Sequence, residues 1–317
     1  MATVSYHDTV KVLQGLSRPD AGPFDRAEWF ALLAEHGQRP LVAKSGDSAL
    51  ALTEANGRLE ALRNWYSFTW RPHGWDMVAI AEDLRIRTHR VTLWPVPDED
   101  GSATTLASAF REAGWQVTCE PCDHNHVLEV RGRSFADYWA ERPGRMRTTV
   151  RRKAKKVDVT ILDRFDKDVW GEYETIYAES WKPEEETAEL LRAFAEAEGA
   201  ADRVRLAVAR ANGEAVAAQF WTVENGTAYI HKLAHLEARK DLSAGTTLTA
   251  ALFEHVIDQD RVELINFGTG DDRYKRDWME VDRPRFRIDC LDPRQPRAWP
   301  ALAKRAVRFL APRRSRR

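Results

Sequence analysis

The chain has 317 residues, 43% of them hydrophobic, including 12 tryptophans; that is apolar material for two cores and excludes a disordered chain. Its 48 basic and 49 acidic side chains leave a formal charge of −1, so the molecule as a whole has no pull toward nucleic acid or anionic membrane, and only local patches could supply one. No apolar run reaches the ~18 residues of a bilayer span, the N-terminus has no basic-then-apolar leader, and Cys119, Cys122 and Cys290 make no disulfide framework; a cytoplasmic protein is expected.

In chain order, the first half reads as mixed α/β. Apolar spacing predicts a helix over 24–36 with Trp29, Leu32 and Leu33 on one side, Asp25 as its cap and Gly37 as its stop. Short strands are expected at 40–44 and 49–53, and Asn56-Gly57 signals a hairpin between 50–55 and 58–65. Residues 77–81 read as a strand, 90–96 as another ended by Pro95 and Pro97, and 104–112 as a helix closed by Gly114. Residues 115–119 and 126–130 read as a closing hairpin.

The second half repeats the order with clearer signals. A basic helix over 145–156 precedes a strand at 158–162, a helix over 166–180 with Val169, Trp170, Tyr173, Ile176 and Tyr177 on its buried side, and a further helix over 185–199. Strands at 204–210, 214–223 and 227–235 are joined by Asn212-Gly213 and Asn225-Gly226, the dipeptide that two-residue type I′ hairpins favour, which makes a β-meander. A loop over 236–245, a helix over 246–259, a strand over 262–267, a Gly-rich turn, a short helix at 273–278, a strand at 285–290 and a last helix at 298–310 complete the chain. The tail after it is expected to be a frayed, solvated end. Pro143 and Gly144 break the chain between the halves, so domains over 1–143 and 144–317 are expected.

This order resembles the GNAT acyltransferase plan, and within it the tandem-GNAT proteins grouped with the CelD-like and FemAB-like branch. Four stretches carry the resemblance: the basic run from Arg147 to Lys156, the Ala-Ala-Gln-Phe run at 217–220, His231 to Leu236 leading into Leu-Ser-Ala-Gly-Thr at 242–246, and the run from Asn266 to Arg276. Ala244 stands where that branch has Pro, and Asn266 where it has Asp. The match covers roughly residues 145–280. The resemblance implies two tandem GNAT-like α/β domains, each a mixed, mainly antiparallel sheet flanked by helices. The N-terminal copy is expected to be degenerate and to help form the acceptor groove.

The implied activity is transfer of an acyl group from acyl-CoA to an amine or hydroxyl by direct attack, with acetyl-CoA or another acyl-CoA as co-substrate and a small-molecule, saccharide or peptide acceptor. Ser243, Ala244, Gly245, Thr246 and Thr247, opening a helix, are the candidate donor loop, since unpaired N–H groups and the helix dipole there favour a diphosphate. His231 is a candidate base, with His235 expected on the same strand face and Lys232 on the other; Lys232, His235 and Lys275 are candidate substrate contacts. Tyr274 is the candidate general acid and Asp271 a further catalytic candidate at the turn after Phe267. Each histidine also fits a plain half-exposed strand position, and Asp271 fits a helix cap.

Two other patterns carry weight. Seven basic residues between Arg145 and Lys156 spread nearly around a helix, as on a solvated face, or as a patch for coenzyme A phosphates, a polymeric acceptor or tRNA. Cys119, Cys122, His124 and His126 offer four zinc ligands, but a tetrahedral site normally draws its second pair from a distant segment, so no metal is expected. The competing functional readings are a FemAB-like transferase using aminoacyl-tRNA, and a non-catalytic module of polysaccharide or envelope biosynthesis.

Overall fold

The computed structural model describes residues 3–16, 18 and 20–310; the expected frayed tail at 311–317 lies outside the described residues. The elements of the first part are β1 (Ser5–His7), α1 (Ala27–Glu35), β2 (Pro40–Ser45), β3 (Ser48–Ala55), β4 (Arg58–Ala61), α2 (Val78–Arg87), β5 (Arg90–Val96), α3 (Ser102–Glu112) and β6 (Gln116–Glu129). Then come α4 (Phe135–Ala140), α5 (Gly144–Lys153), β7 (Asp158–Leu162), α6 (Lys167–Ala178), α7 (Ala188–Ala200), β8 (Val204–Ala211), β9 (Glu214–Glu224) and β10 (Thr227–His235). The chain ends in α8 (Ala244–Glu254), β11 (Leu264–Thr269), α9 (Lys275–Trp278), β12 (Val281–Leu291) and α10 (Trp299–Leu310).

Two compact units result: Met1–Asp123 with Pro284–Arg317, and His124–Arg283. This division differs from the expected one at 143/144. The C-terminal segment returns to the first unit because β12 pairs antiparallel with β5, Phe286 opposite Val96 and Leu291 opposite Arg90. Helix α4 belongs to the second unit, where the Tyr138 hydroxyl donates to the Trp278 carbonyl and its ring stacks on Phe253.

In the first unit the strand order is β1-β2-β3-β4-β5-β12, antiparallel except for the parallel pair β4–β5. Trp29, Phe30, Trp70 and Phe110 are fully buried in its core. Three local expectations are corrected. Asp25 does not cap α1; it is buried and accepts a 2.5 Å hydrogen bond from Arg71, while the cap position is Arg26. Residues 77–81 open a helix rather than a strand, because the buried set Met77, Ile80, Ala81 and Leu84 recurs at helical spacing. The closing hairpin is one continuous strand, β6, which Pro121 interrupts as a donor without reversing the chain. Cys119 and Cys122 therefore lie along an extended segment rather than in a turn, and among the described residues no group of three or more His, Cys, Asp or Glu side chains converges.

The second unit has the order β6-β11-β10-β9-β8-β7. The meander stands as read from the sequence: Asn212, Gly213, Asn225 and Gly226 all have positive φ, as type I′ turns require. Adjacent residues of β9 point to opposite faces. Phe220 packs against Trp170 of α6 and Phe194 of α7, whereas Trp221 packs against Phe253 of α8. So α6 and α7 cover one face of this sheet and α8 the other. Strands β10 and β11 are parallel and pair only over 227–229 and 264–266; beyond that point they part.

Candidate functional site

Where β10 and β11 part, a cavity of about 520 Å³ opens on the α8 face. Ser243, Ala244, Gly245 and Thr246 line it, as do His235, Phe267 and Tyr274. The two segments singled out in the sequence, the loop before α8 and the turn after Phe267, thus share one cavity.

The loop leaves the start of α8 open. Ser243 has φ +51°, a left-handed conformation that turns the chain into α8. The first helical bond runs from Thr247 N to Ser243 O at 3.1 Å. No side chain caps the helix, and among the described residues no acceptor takes the N–H groups of Ala244, Gly245 or Thr246. Unpaired donors at the positive end of a helix dipole suit a phosphate. Gln219, fully buried in the middle of β9, fixes this turn by donating to Thr249 Oγ1 at 2.6 Å and to the Gly245 carbonyl at 3.3 Å. Thr247 is buried and does not line the cavity.

Helix α5 supplies cations from one stripe. Arg145 and Thr149 line the cavity, and one turn on, Lys153 donates to Ser243 Oγ at 3.0 Å and to the Asp241 carbonyl at 2.6 Å. Arg145 pairs with Asp277 of α9 at 2.5 Å. The i, i+4, i+8 spacing puts these three on one face, a stripe hidden in the sequence by basic residues on the other faces.

The histidines do not share a face. Strand β10 carries a bulge between Ile230 and Lys232: Ile230 is opposite Trp221, yet Lys232 is opposite Phe220. One extra residue inverts the alternation. His231 therefore turns to the α6–α7 face, with its ring against Phe194 and Phe220 and Nε2 2.7 Å from Thr222 Oγ1. His235 turns to the cavity, where its ring lies 4.3 Å from that of Trp181. Burial, reinforced by the Lys182 charge and opposed by Glu237, lowers the His235 pKa below the ordinary histidine value. The ring is neutral at neutral pH and can accept a proton.

Tyr274 borders the cavity with its ring edge-on to Phe267 at 5.6 Å. Burial, then the Asp272 charge, raises its pKa, so it carries its proton throughout the physiological range. Asp271 and Lys275 are not brought to the cavity. Asp271 pairs with Arg276 at 2.6 Å and with His126 at 3.3 Å. Lys275 is buried and donates to the carbonyls of Thr269 and Gly270, pinning the turn in which Asn266 Oδ1 accepts from Gly268 N at 2.9 Å. Lys232 is buried on the other face in an ion pair with Glu185. Trp181 and Asp277, which also line the cavity, carry no signal in the sequence beyond their types.

Residues 139–276 match the family model of an acetyltransferase (GNAT) domain. No curated protein matches the chain significantly. Among solved structures, FemX is 8% identical, with a TM-score of 0.64 over 90% of this chain and 96% of FemX. A conserved protein of unknown function from Bacteroides thetaiotaomicron is 15% identical, with a TM-score of 0.62 over 91% and 100% of the two chains. The C-terminal domain of a protein assigned as a lysylphosphatidylglycerol synthetase from Agrobacterium fabrum is 14% identical, with a TM-score of 0.57 over 88% and 91%. At such identities the likeness speaks for the fold: mixed α/β sheets flanked by helices, of the GNAT type. Among the described residues no helix is long and apolar enough to cross a membrane.

Proposed function

We propose that the second unit transfers an acyl group from an acyl-CoA to an amine or hydroxyl acceptor, as in the CelD-like and FemAB-like tandem GNAT branch that the motifs resemble. One observation carries the reading: Ala244, Gly245 and Thr246, whose N–H groups open α8 unpaired, line the same cavity as His235 and Tyr274, where two parallel strands separate. The amides of 244–246 take the donor's diphosphate, with Arg145 and Lys153 adding positive charge. The thioester then lies in the gap between β10 and β11.

His235 takes the base role first assigned to His231, since His231 faces away. It removes the proton from the attacking amine as the C–N bond forms. As the C–S bond breaks, Tyr274 gives its proton to the departing thiolate. No covalent enzyme intermediate is needed, and Cys290, fully buried with its thiol pushed up by burial, suits none.

A second reading, an aminoacyl-tRNA donor, is favoured by Arg147 and Arg151 beside a groove on another face of α5. Calorimetry with acetyl-CoA and longer acyl-CoAs tests the first reading, followed by a mass-spectrometric screen of amines. Micromolar donor binding supports it. No binding at millimolar acyl-CoA, with salt-dependent binding of tRNA, replaces it with the second; no binding of either leaves a non-catalytic module.

A further inference from the structure

A second cavity, of about 540 Å³, lies on the opposite face of the sheet between α6, α7 and the segment joining them. Its floor is largely aromatic and apolar: Trp170, Tyr173, Tyr177 and Leu191 are buried residues that line it. Its size and lining suit a ring with a short chain.

The charged groups around it balance except for one. Glu174 accepts from Trp170 Nε1 at 2.8 Å and pairs with Arg192 at 3.5 Å. Glu185 is held by Lys232. Glu184 is exposed to solvent. The Lys182 backbone N–H donates to Ser180 Oγ at 3.3 Å, but among the described residues its ammonium makes no hydrogen bond or ion pair; it lies 5.8 Å from the Tyr177 ring and 5.7 Å from that of Trp181. A half-buried ammonium beside two aromatic rings, with no ion-pair partner, is completed by an anion.

We infer that this cavity binds an apolar molecule carrying a free carboxylate, which Lys182 receives. That this molecule is also the acyl acceptor, an apolar amino acid, rests on the transferase reading above. The placement supports it: the Trp181 ring packs tilted against His235 in the donor cavity while its neighbour Lys182 lines the second.

Burial and the like charge of Lys232 lower the Lys182 pKa to about 8, against the opposing pull of Glu185, with Lys275 lowering it and Asp272 raising it further. An anion bound there favours the charged form, so affinity is full below that value and declines above it.

The test is calorimetry with three probes, 3-phenylpropionate, L-phenylalanine and 2-phenylethylamine, on the intact chain. The two carboxylates are expected to bind at least about tenfold more tightly than the amine, and less tightly at pH 9 than at pH 7. Lys182→Met should remove that preference and Lys182→Arg retain it, with melting temperature and acetyl-CoA affinity unchanged in both. Equal or better binding of 2-phenylethylamine, undiminished carboxylate binding by Lys182→Met, or no binding of any probe would overturn the inference. Failure of the donor reading is separate, since it shows in the acetyl-CoA titration alone.

Discussion

A Cβ placed on Gly245 would lie 3.3 Å from Nδ1 of His235, so the candidate donor loop and the candidate base are in direct steric register. Gly245→Ala should therefore move the imidazole by a few tenths of an ångström and lower kcat by about tenfold while donor affinity changes little. Gly245→Asp adds a negative charge at the open helix start and should abolish acyl-CoA binding with the melting temperature retained. Calorimetry and single-turnover rates separate the two; undiminished donor affinity in Gly245→Asp would remove the loop from the site.

Tyr274→Phe keeps the ring edge on Phe267 and removes only the proton. We expect kcat to fall by about 10²-fold or more with the acyl-CoA Kd unchanged. Equal turnover would assign thiolate protonation elsewhere.

The His235 ring should titrate below the ordinary histidine value, because burial and Lys182 both disfavour its charged form. Lys182→Met removes one of those contributions, so the midpoint of the His235 ring-proton shift should rise in an NMR titration. A midpoint unmoved by the substitution would place the two groups in electrically separate environments.

Lys232 and Glu185 form an ion pair with both side chains nearly buried, 6% and 10% exposed. Glu185→Gln leaves the ammonium without its carboxylate and should cost about 3 kcal/mol, whereas Lys232→Met with Glu185→Leu should cost far less. Denaturant melts of the two variants provide the comparison; equal losses would mean that packing, not charge, dominates there.

In the first unit His73 is 3% exposed. Burial lowers its pKa more than Asp25 and the hydrogen bond to the Leu16 backbone raise it. The unfolded chain then binds the proton first, so stability is fully present above about pH 6.5 and is lost as pH falls from there toward the folded value. His73→Gln should flatten that part of the melting curve against pH between 7 and 5, and an unchanged slope would exclude His73 as its source.

Much of the second unit was legible in the sequence because its signals are local. An Asn-Gly pair sets a left-handed turn within two residues, and the buried stripe of α6, from Val169 to Tyr177, repeats at the helical period. The loop before α8 and the turn after Phe267, which the structure brings to one cavity, could be singled out because each is short and chemically distinctive.

Local patterning in the chain thus carried the meander and most helices and strands of the second unit, and it named candidates for holding an anion or moving a proton. Tertiary structure alone decided which of them meet. The bulge in β10 depends on how that strand registers against β9, and it sends His231 away and brings His235 in. The engagement of Lys275 with backbone carbonyls, the gap between β10 and β11, and the return of β12 to β5 likewise join residues far apart in the chain. Partner choice at that range comes from collective packing, and no window of neighbouring residues contains it.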